Sequence, residues 1–273
     1  MDKLTFLGAG ELAQALTKGF LNAGIAANTI WLTNRSNVAR LAQLEQQYGV
    51  HGESDRHKAI EQADVVFLAC RPADCKEALL AVQDAFTEHQ LIISLMVGVP
   101  TDYISQIGGK RLHIVRAMPN TSAATGRSAT GLAAGGHANE ADLTKAVQLF
   151  NTVGSVSVVD ESQIDAVAAL AGSGPAYLYY LTDAMIKAGV QQGLTSDASI
   201  SLVTQTIVGA AHMLAHAGKS AQSLLQAVAT PGGTTEAGIQ VLDAQHVSTA
   251  VADCIGRAVS RAGELSAPYS NTH

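Results

Sequence analysis

Aromatic side chains are scarce in this chain of 273 residues, at 4% of the total, although 47% of it is hydrophobic. A core must therefore come mainly from Ala, Leu, Val and Ile, and abundant Gly and Ala suit close packing of helices on a sheet and on one another. Cysteine is nearly absent. Cys70, Cys75 and Cys254 are odd in number and form no disulfide framework, so they read as free thiols in a reducing cytoplasm. No basic run occurs, and a net charge of −6 with a pI near 5.8 argues against a nucleic-acid partner. No apolar stretch of the ~18 residues a span needs is present, nor a charged-then-apolar leader, so neither membrane span nor signal segment is expected. Nine histidines are scattered without ligand spacing, and no metal site is expected.

What is present is an alternation of short apolar runs with helix-length segments. Leu4–Leu7, Thr29–Thr33, Val65–Ala69, Leu91–Ser94 and His113–Arg116 read as buried parallel strands joined by right-handed crossovers. Two further strands, near Ser128–Ala134 and Ser155–Val159, flank a polar helix at Glu140–Thr152. After Asp160 the strand signal ends. Helical patterns follow at Gln163–Leu170, Pro175–Gln192, Ser196–Ala217, Ser220–Val228, Glu236–Ala244 and Ser248–Leu265. Their apolar faces are too wide for one small bundle to cover, so this half is expected to bury surface against a second copy of itself. The expected fold is α/β, a Rossmann-type doubly wound parallel sheet (residues 1–160) followed by an all-α dimerisation domain (161–273).

Gly8-Ala9-Gly10, with Ala13 three residues on, follows the first strand and opens a helix. The first Gly makes the turn, the second clears space for a pyrophosphate, and Ala13 lets helix and strand approach. At the end of the second strand, a cofactor without a 2′-phosphate usually meets an Asp or Glu. Here the chain offers Asn34, Arg35 and Ser36, groups suited to a 2′-phosphate, so NADP(H) is favoured, with NAD(H) as the second candidate. Glu11 suits the helix dipole yet lies near the expected pyrophosphate. Ala69-Cys70-Arg71-Pro72 and Arg116–Thr121 also follow strands, and both loops should border the nicotinamide end, with Asn120 as a polar contact.

The segment Val228–Glu236 lies between two helical patterns, and its Pro231, Gly232 and Gly233 mark a break. Amides at the helix start have no partners within the helix and can bind an anion, while Thr230, Thr234 and Thr235 surround the turn. Two readings stand at this point: an ordinary helix connection, or a pocket for a small carboxylate with a hydroxyl beside it.

Five motifs in this order resemble the pyrroline-5-carboxylate reductase family: Gly8-Ala9-Gly10, Ala69–Pro72, Met118–Thr121, Gly172–Tyr177 and Thr230–Thr235. The resemblance runs from Leu4 to about Gly263. It implies NAD(P)H-dependent reduction of the C=N bond of 1-pyrroline-5-carboxylate to L-proline, in homodimers that often form decamers. It also implies a substrate carboxylate on the backbone of Gly232, Gly233 and Thr234, with Thr230 beside it. Thr235 then faces the ring nitrogen, and the pocket lies where one subunit's nicotinamide meets the helical domain of the dimer. Glu11 and Leu12 replace a commoner Asn-Met pair, and Arg71 stands where Lys is typical. Ser122 replaces a Pro, Arg127-Ser128 a Glu-Gly, His212 a Lys, and Arg56 falls near a position that often carries Asn against the cofactor.

These departures keep two alternatives open: a reductase of another cyclic imino acid, and a non-catalytic regulatory paralogue. Assays with a panel of cyclic imino acids separate the first, and titration with NADPH the second. A 3-hydroxyacid dehydrogenase would need a catalytic Lys in the helical half, and Lys187 and Lys219 lack the Gly-rich setting.

Overall fold

A computed structural model describes residues 2–35, 37–109 and 111–270 of the chain. Among them eight strands form one sheet: β1 (Leu4–Leu7), β2 (Ile30–Thr33), β3 (His51–Glu53), β4 (Val65–Leu68), β5 (Leu91–Ser94), β6 (His113–Met118), β7 (Ser128–Ala134) and β8 (Gly154–Val158). Their order is β3-β2-β1-β4-β5-β6-β7-β8, parallel throughout except for the antiparallel β6–β7 pair. The order reverses between β1 and β4, which opens a crevice at the carboxyl ends of those strands. Strand β3 is the one the sequence reading lacks. His51-Gly52-Glu53 has no apolar residue to show a period, and it pairs only with β2 at the edge.

Helices α1 (Glu11–Asn22), α2 (Val38–Tyr48), α3 (Arg56–Glu61), α4 (Cys75–Leu80), α5 (Thr101–Gly108) and α6 (Glu140–Asn151) follow the successive strands. Alternate strand residues divide between two apolar clusters. Leu4, Phe6, Val65 and Phe67 pack with Leu16 and Phe20 of α1, while Leu7, Val66, Leu68 and Ile92 pack with Leu79 of α4 and Ile104 of α5. Both faces are thus covered, which is why the strands read as unbroken apolar runs. The few aromatics are concentrated: Phe6 stacks on Phe67 at 4.3 Å, with Phe20 and Phe150 at 5.9 and 6.3 Å from Phe67. Gly19 of α1 lies against the Ala123 carbonyl, leaving no room for a Cβ.

Beyond β8 come a 3₁₀ turn (Glu161–Gln163), α7 (Ile164–Val167) and one π turn (Ala168–Gly172). Then follow α8 (Gly174–Gln191), α9 (Ser196–His216), α10 (Ala221–Val228), α11 (Thr234–Ala244) and α12 (Val247–Ser270). The chain divides into two compact units, Met1–Ser173 with Arg257–His273, and Gly174–Gly256. By this measure the stretch after Asp160 belongs with the sheet, because Ile164 and Ala168 join Met118 and Ala133 in a third apolar cluster. The end of α12 belongs there too. Leu265 backs onto Gly98, and the Tyr269 ring meets the Tyr103 ring edge-on at 4.9 Å.

In the helical unit Ser199 is the one buried residue among those described. It marks the crossing of α8 and α9, where a Cβ on Gly189 would lie 2.8 Å from its hydroxyl. Leu178, Tyr179, Tyr180, Leu202 and Val208 remain exposed. Helix α9 is long and apolar enough, by length and composition, to cross a membrane, which the run-based sequence reading did not register because polar residues interrupt it.

Candidate active site and cofactor cleft

The loop from β1 to α1 is built around Gly8. Its φ of +122° lies in the left-handed region, and a Cβ there would stand 2.6 Å from the Ala69 carbonyl oxygen. Only glycine satisfies both demands. Gly10 differs: it is extended, serves as N-cap of α1 without a side chain to cap it, and a Cβ would meet nothing within 4 Å. The space before the amides of Glu11 and Leu12 is thus left to a ligand. Ala9 and Ala13 are buried beneath the turn. The Glu11 side chain is 88% exposed and faces Arg40 at 3.9 Å, so its carboxylate leaves the turn while its amide stays in it.

Three contiguous cavities run from this turn along the carboxyl ends of the strands. The first, about 280 Å³, is lined by Gly8, Gly10, Asn34, Arg35, Arg56 and Arg71 among others. A second of about 220 Å³ shares Gly10, Ala69, Cys70 and Arg71 with it and adds Glu11 and Leu12. The third, about 390 Å³, shares Leu12 and Leu95 with the second and reaches Met118, Pro119, Asn120 and Ser173.

In the first cavity, Arg35 donates Nη1 to both carboxylate oxygens of Glu77, at 3.1 and 3.0 Å. Asn34 folds the turn, its Oδ1 accepting from the Asn37 amide at 3.0 Å. The expected Ser36 lies outside the described residues. Pro72 starts a short 3₁₀ turn, and Arg71 donates Nε to Asp74 at 2.7 Å. That hydrogen bond raises the Arg71 pKa and lowers that of Asp74. The Cys70 thiol lies 3.5 Å from the Met96 sulfur. Burial pushes Cys70 up to about 11 and Cys75 up to about 12, so neither thiol is a nucleophile at neutral pH. Among the described residues no three His, Cys, Asp or Glu side chains group as metal ligands.

In the third cavity Asn120 is 8% exposed and its side chain is largely committed to the fold. Its Oδ1 accepts from the Ser122 amide at 3.0 Å, and its Nδ2 donates to the Ala171 carbonyl of the π turn at 2.9 Å. Asn120 therefore shapes the wall it was expected to contribute to by direct contact. Ser173, from the Gly172–Tyr177 motif, lines this wall with Arg261 and Leu265, neither of which was expected from the sequence. No local pattern announces that the far end of α12 returns to the sheet.

The Thr230–Thr235 segment, in the helical unit, is a tight turn. The Gly233 N–H donates to the Thr230 carbonyl at 3.0 Å across Pro231 and Gly232, and Gly232 has φ +73°, a type II arrangement. The Gly232 N–H donates to Glu236 Oε2 at 2.8 Å. Both glycine amides expected to meet a carboxylate are thus already engaged. Helix α11 starts at Thr234 with Gly233 as a cap lacking a side chain, which leaves the Thr234 and Thr235 amides as first-turn donors. Neither threonine hydroxyl has a hydrogen-bond partner among the described residues. Glu236 was missed because its role depends on the turn folding back over it.

A parallel sheet with a glycine turn at its first crossover, a cleft along its carboxyl edge and a guanidinium-rich far end define a dinucleotide-binding oxidoreductase. The comparisons narrow this. Residues 3–98 match the family model "NADP oxidoreductase coenzyme F420-dependent", and residues 161–265 match "Pyrroline-5-carboxylate reductase dimerisation". Pyrroline-5-carboxylate reductase 2 of Bacillus subtilis is 37% identical over 271 residues, covering 99% of this chain and 97% of the relative. The solved structure of a pyrroline-5-carboxylate reductase from Coxiella burnetii is 38% identical, with a TM-score of 0.88 over 97% of this chain and 98% of that one. That of Plasmodium falciparum pyrroline carboxylate reductase with NADP bound is 25% identical, also at TM-score 0.88, over 97% of this chain and 98% of that one. The chain belongs to the pyrroline-5-carboxylate reductase family.

Proposed function

We infer that the chain reduces the C=N bond of 1-pyrroline-5-carboxylate to give L-proline, with NADPH as the reductant. The observation that carries this is the match, over nearly the full length of both chains, to the Bacillus subtilis reductase. The donor set fits NADP(H): an open approach at Gly10, uncapped amides at Glu11 and Leu12, and guanidinium groups at the far end of the same cleft. When bound, the cofactor supplies the hydride from its nicotinamide.

The chain's own residues divide the remaining work. Gly8, Ala9 and Gly10, with the amides of Glu11 and Leu12, hold the pyrophosphate. Asn34, Arg35, Ser36 and Arg56 hold the adenosine end, Ala69, Cys70 and Arg71 line the cleft from there toward the glycine turn, and Pro72 starts the 3₁₀ turn that follows them. Asn120 fixes the wall at the nicotinamide end. At the helical turn, the amides of Thr234 and Thr235 receive the substrate carboxylate, and Thr230 and the two glycines set their direction. The Thr235 hydroxyl meets the ring nitrogen. A cyclic imine accepts hydride most readily when protonated, so fixing the carboxylate and the nitrogen supplies geometry and charge together. No strongly shifted His or Glu is required.

The matched dimerisation model indicates an oligomer. We read it as a homodimer that assembles further into a decamer, working in the cytoplasm, where three unpaired thiols stay reduced. The test of function is NADPH consumption on addition of 1-pyrroline-5-carboxylate, run beside NADH at matched concentrations. Turnover with proline as product is expected; binding of NADPH without any turnover would overturn the assignment.

A further inference from the structure

The far end of the cofactor cleft holds three guanidinium groups and two carboxylates, and their pairing is uneven. Arg35 is taken up by Glu77 and Arg71 by Asp74. Arg56, half-buried at the first position of α3, lines the same cavity and has no ion pair or hydrogen bond among the described residues. Two acids offset two of the cations. The charge left over is on Arg56.

We propose that Arg56 is the residue that reads the 2′-phosphate of NADP, and that Glu77 restrains the preference by holding Arg35. The proposal rests on the reading that this cleft takes NADP. A phosphate dianion approaching Arg35 also approaches the Glu77 carboxylate, and that repulsion reduces what Arg35 can contribute. The Arg35–Glu77 pair is loose enough to open, with its side chains 52% and 68% exposed. Arg56 carries no such penalty, and its planar fork suits two phosphate oxygens at once. Toward a ribose without a phosphate the roles reverse, since the Glu77 carboxylate can accept from free hydroxyls. Arg56 comes from the start of α3, 23 positions along the chain from Thr33 at the end of β2, although both line the same cavity.

Calorimetric titration of the full chain with adenosine 2′,5′-bisphosphate and with 5′-AMP tests this without turnover. Arg56→Ala should weaken the bisphosphate about tenfold or more, the loss of one charge-assisted contact, and leave 5′-AMP within about twofold. Arg56→Gln should behave alike, guarding against a local disturbance from truncation. Glu77→Gln should tighten the bisphosphate about threefold. Equal loss of both nucleotides on changing Arg56, or none, would overturn the role of Arg56. Unchanged bisphosphate affinity in Glu77→Gln would overturn that of Glu77. A wild-type chain that binds the bisphosphate yet never reduces 1-pyrroline-5-carboxylate would sink the functional assignment and leave this one standing.

Discussion

Thr235 occupies the second position of α11, where its amide lies in the unpaired first turn and its hydroxyl has no partner among the described residues. A group placed to meet the imine nitrogen should act on the chemical step and leave cofactor affinity alone. Thr235→Ala is expected to lower kcat about tenfold or more, the scale for removing one contact to a developing charge, while the NADPH Kd stays within about twofold. Thr235→Ser should retain most of the rate. Unchanged turnover in the alanine variant would remove Thr235 from the mechanism. The two inner thiols make a different residue-scale claim. Burial raises Cys70 to about 11 and Cys75 to about 12, so both hold their protons more tightly folded than unfolded. Their contribution is complete below pH 9 and is lost as the pH rises through about 11 for Cys70 and about 12 for Cys75, because unfolded thiols ionise first. A tenfold tighter hold on a proton corresponds to ~1.4 kcal/mol, so thermal midpoints should fall steeply above pH 9. Replacing both cysteines with Ala should flatten that decline, and a slope identical to the parent's would contradict it.

Arg116 shows how elements are tied beyond their apolar faces. It lies inside β6 at 4% exposure, donates to Asp165 of α7 at 3.2 Å and faces Glu161 at 3.6 Å. Glu161 in turn accepts from the amide and hydroxyl of Thr101 at the start of α5, at 2.8 and 2.6 Å. Arg116 therefore joins β6 to α7 directly and to α5 through Glu161, and its Nε has no hydrogen-bond partner among the described residues. Arg116→Ala strands two partly buried carboxylates and should cost about 3 kcal/mol in chemical denaturation, with Arg116→Lys recovering part of it. A loss below about 1 kcal/mol would mean that water replaces the guanidinium freely. The network was invisible in sequence because its members lie up to 64 positions apart (from Thr101 to Asp165) and no period links them. Strands and long helices were legible for the opposite reason, since burial on both faces or along one stripe repeats locally. The glycine turn was legible too, as strand and helix flank it within a few residues. The Arg35–Glu77 pair and the seat of Glu236 were not, each depending on a chain reversal that brings a carboxylate to a group already recognised.

At the scale of the whole molecule, the two compact units are stabilised by different means. The sheet unit buries its large apolar residues on both faces, whereas the helical unit leaves Tyr179 66%, Tyr180 78%, Leu202 57% and Val208 55% exposed. Burying such side chains is worth about 1.5–3 kcal/mol each, so a helical unit that forgoes it alone must recover it elsewhere. A membrane is one chemical possibility for α9, whose hydropathy permits it. Yet Ser199, Ser201, Thr204, Gln205 and Thr206 punctuate that helix, a pattern better suited to close packing against a second protein surface. The match of this region to a dimerisation model supports the same choice. Sedimentation equilibrium of the wild type should therefore give at least a dimer that persists on dilution. Val208→Glu should release monomers, because a charge buried at such an interface has no partner. The thermal midpoint should fall at the same time, since folding and association are linked through the surface they share. If Val208→Glu keeps both its parental mass and its midpoint, α9 lies outside the interface and the apolar stripe must serve some other contact.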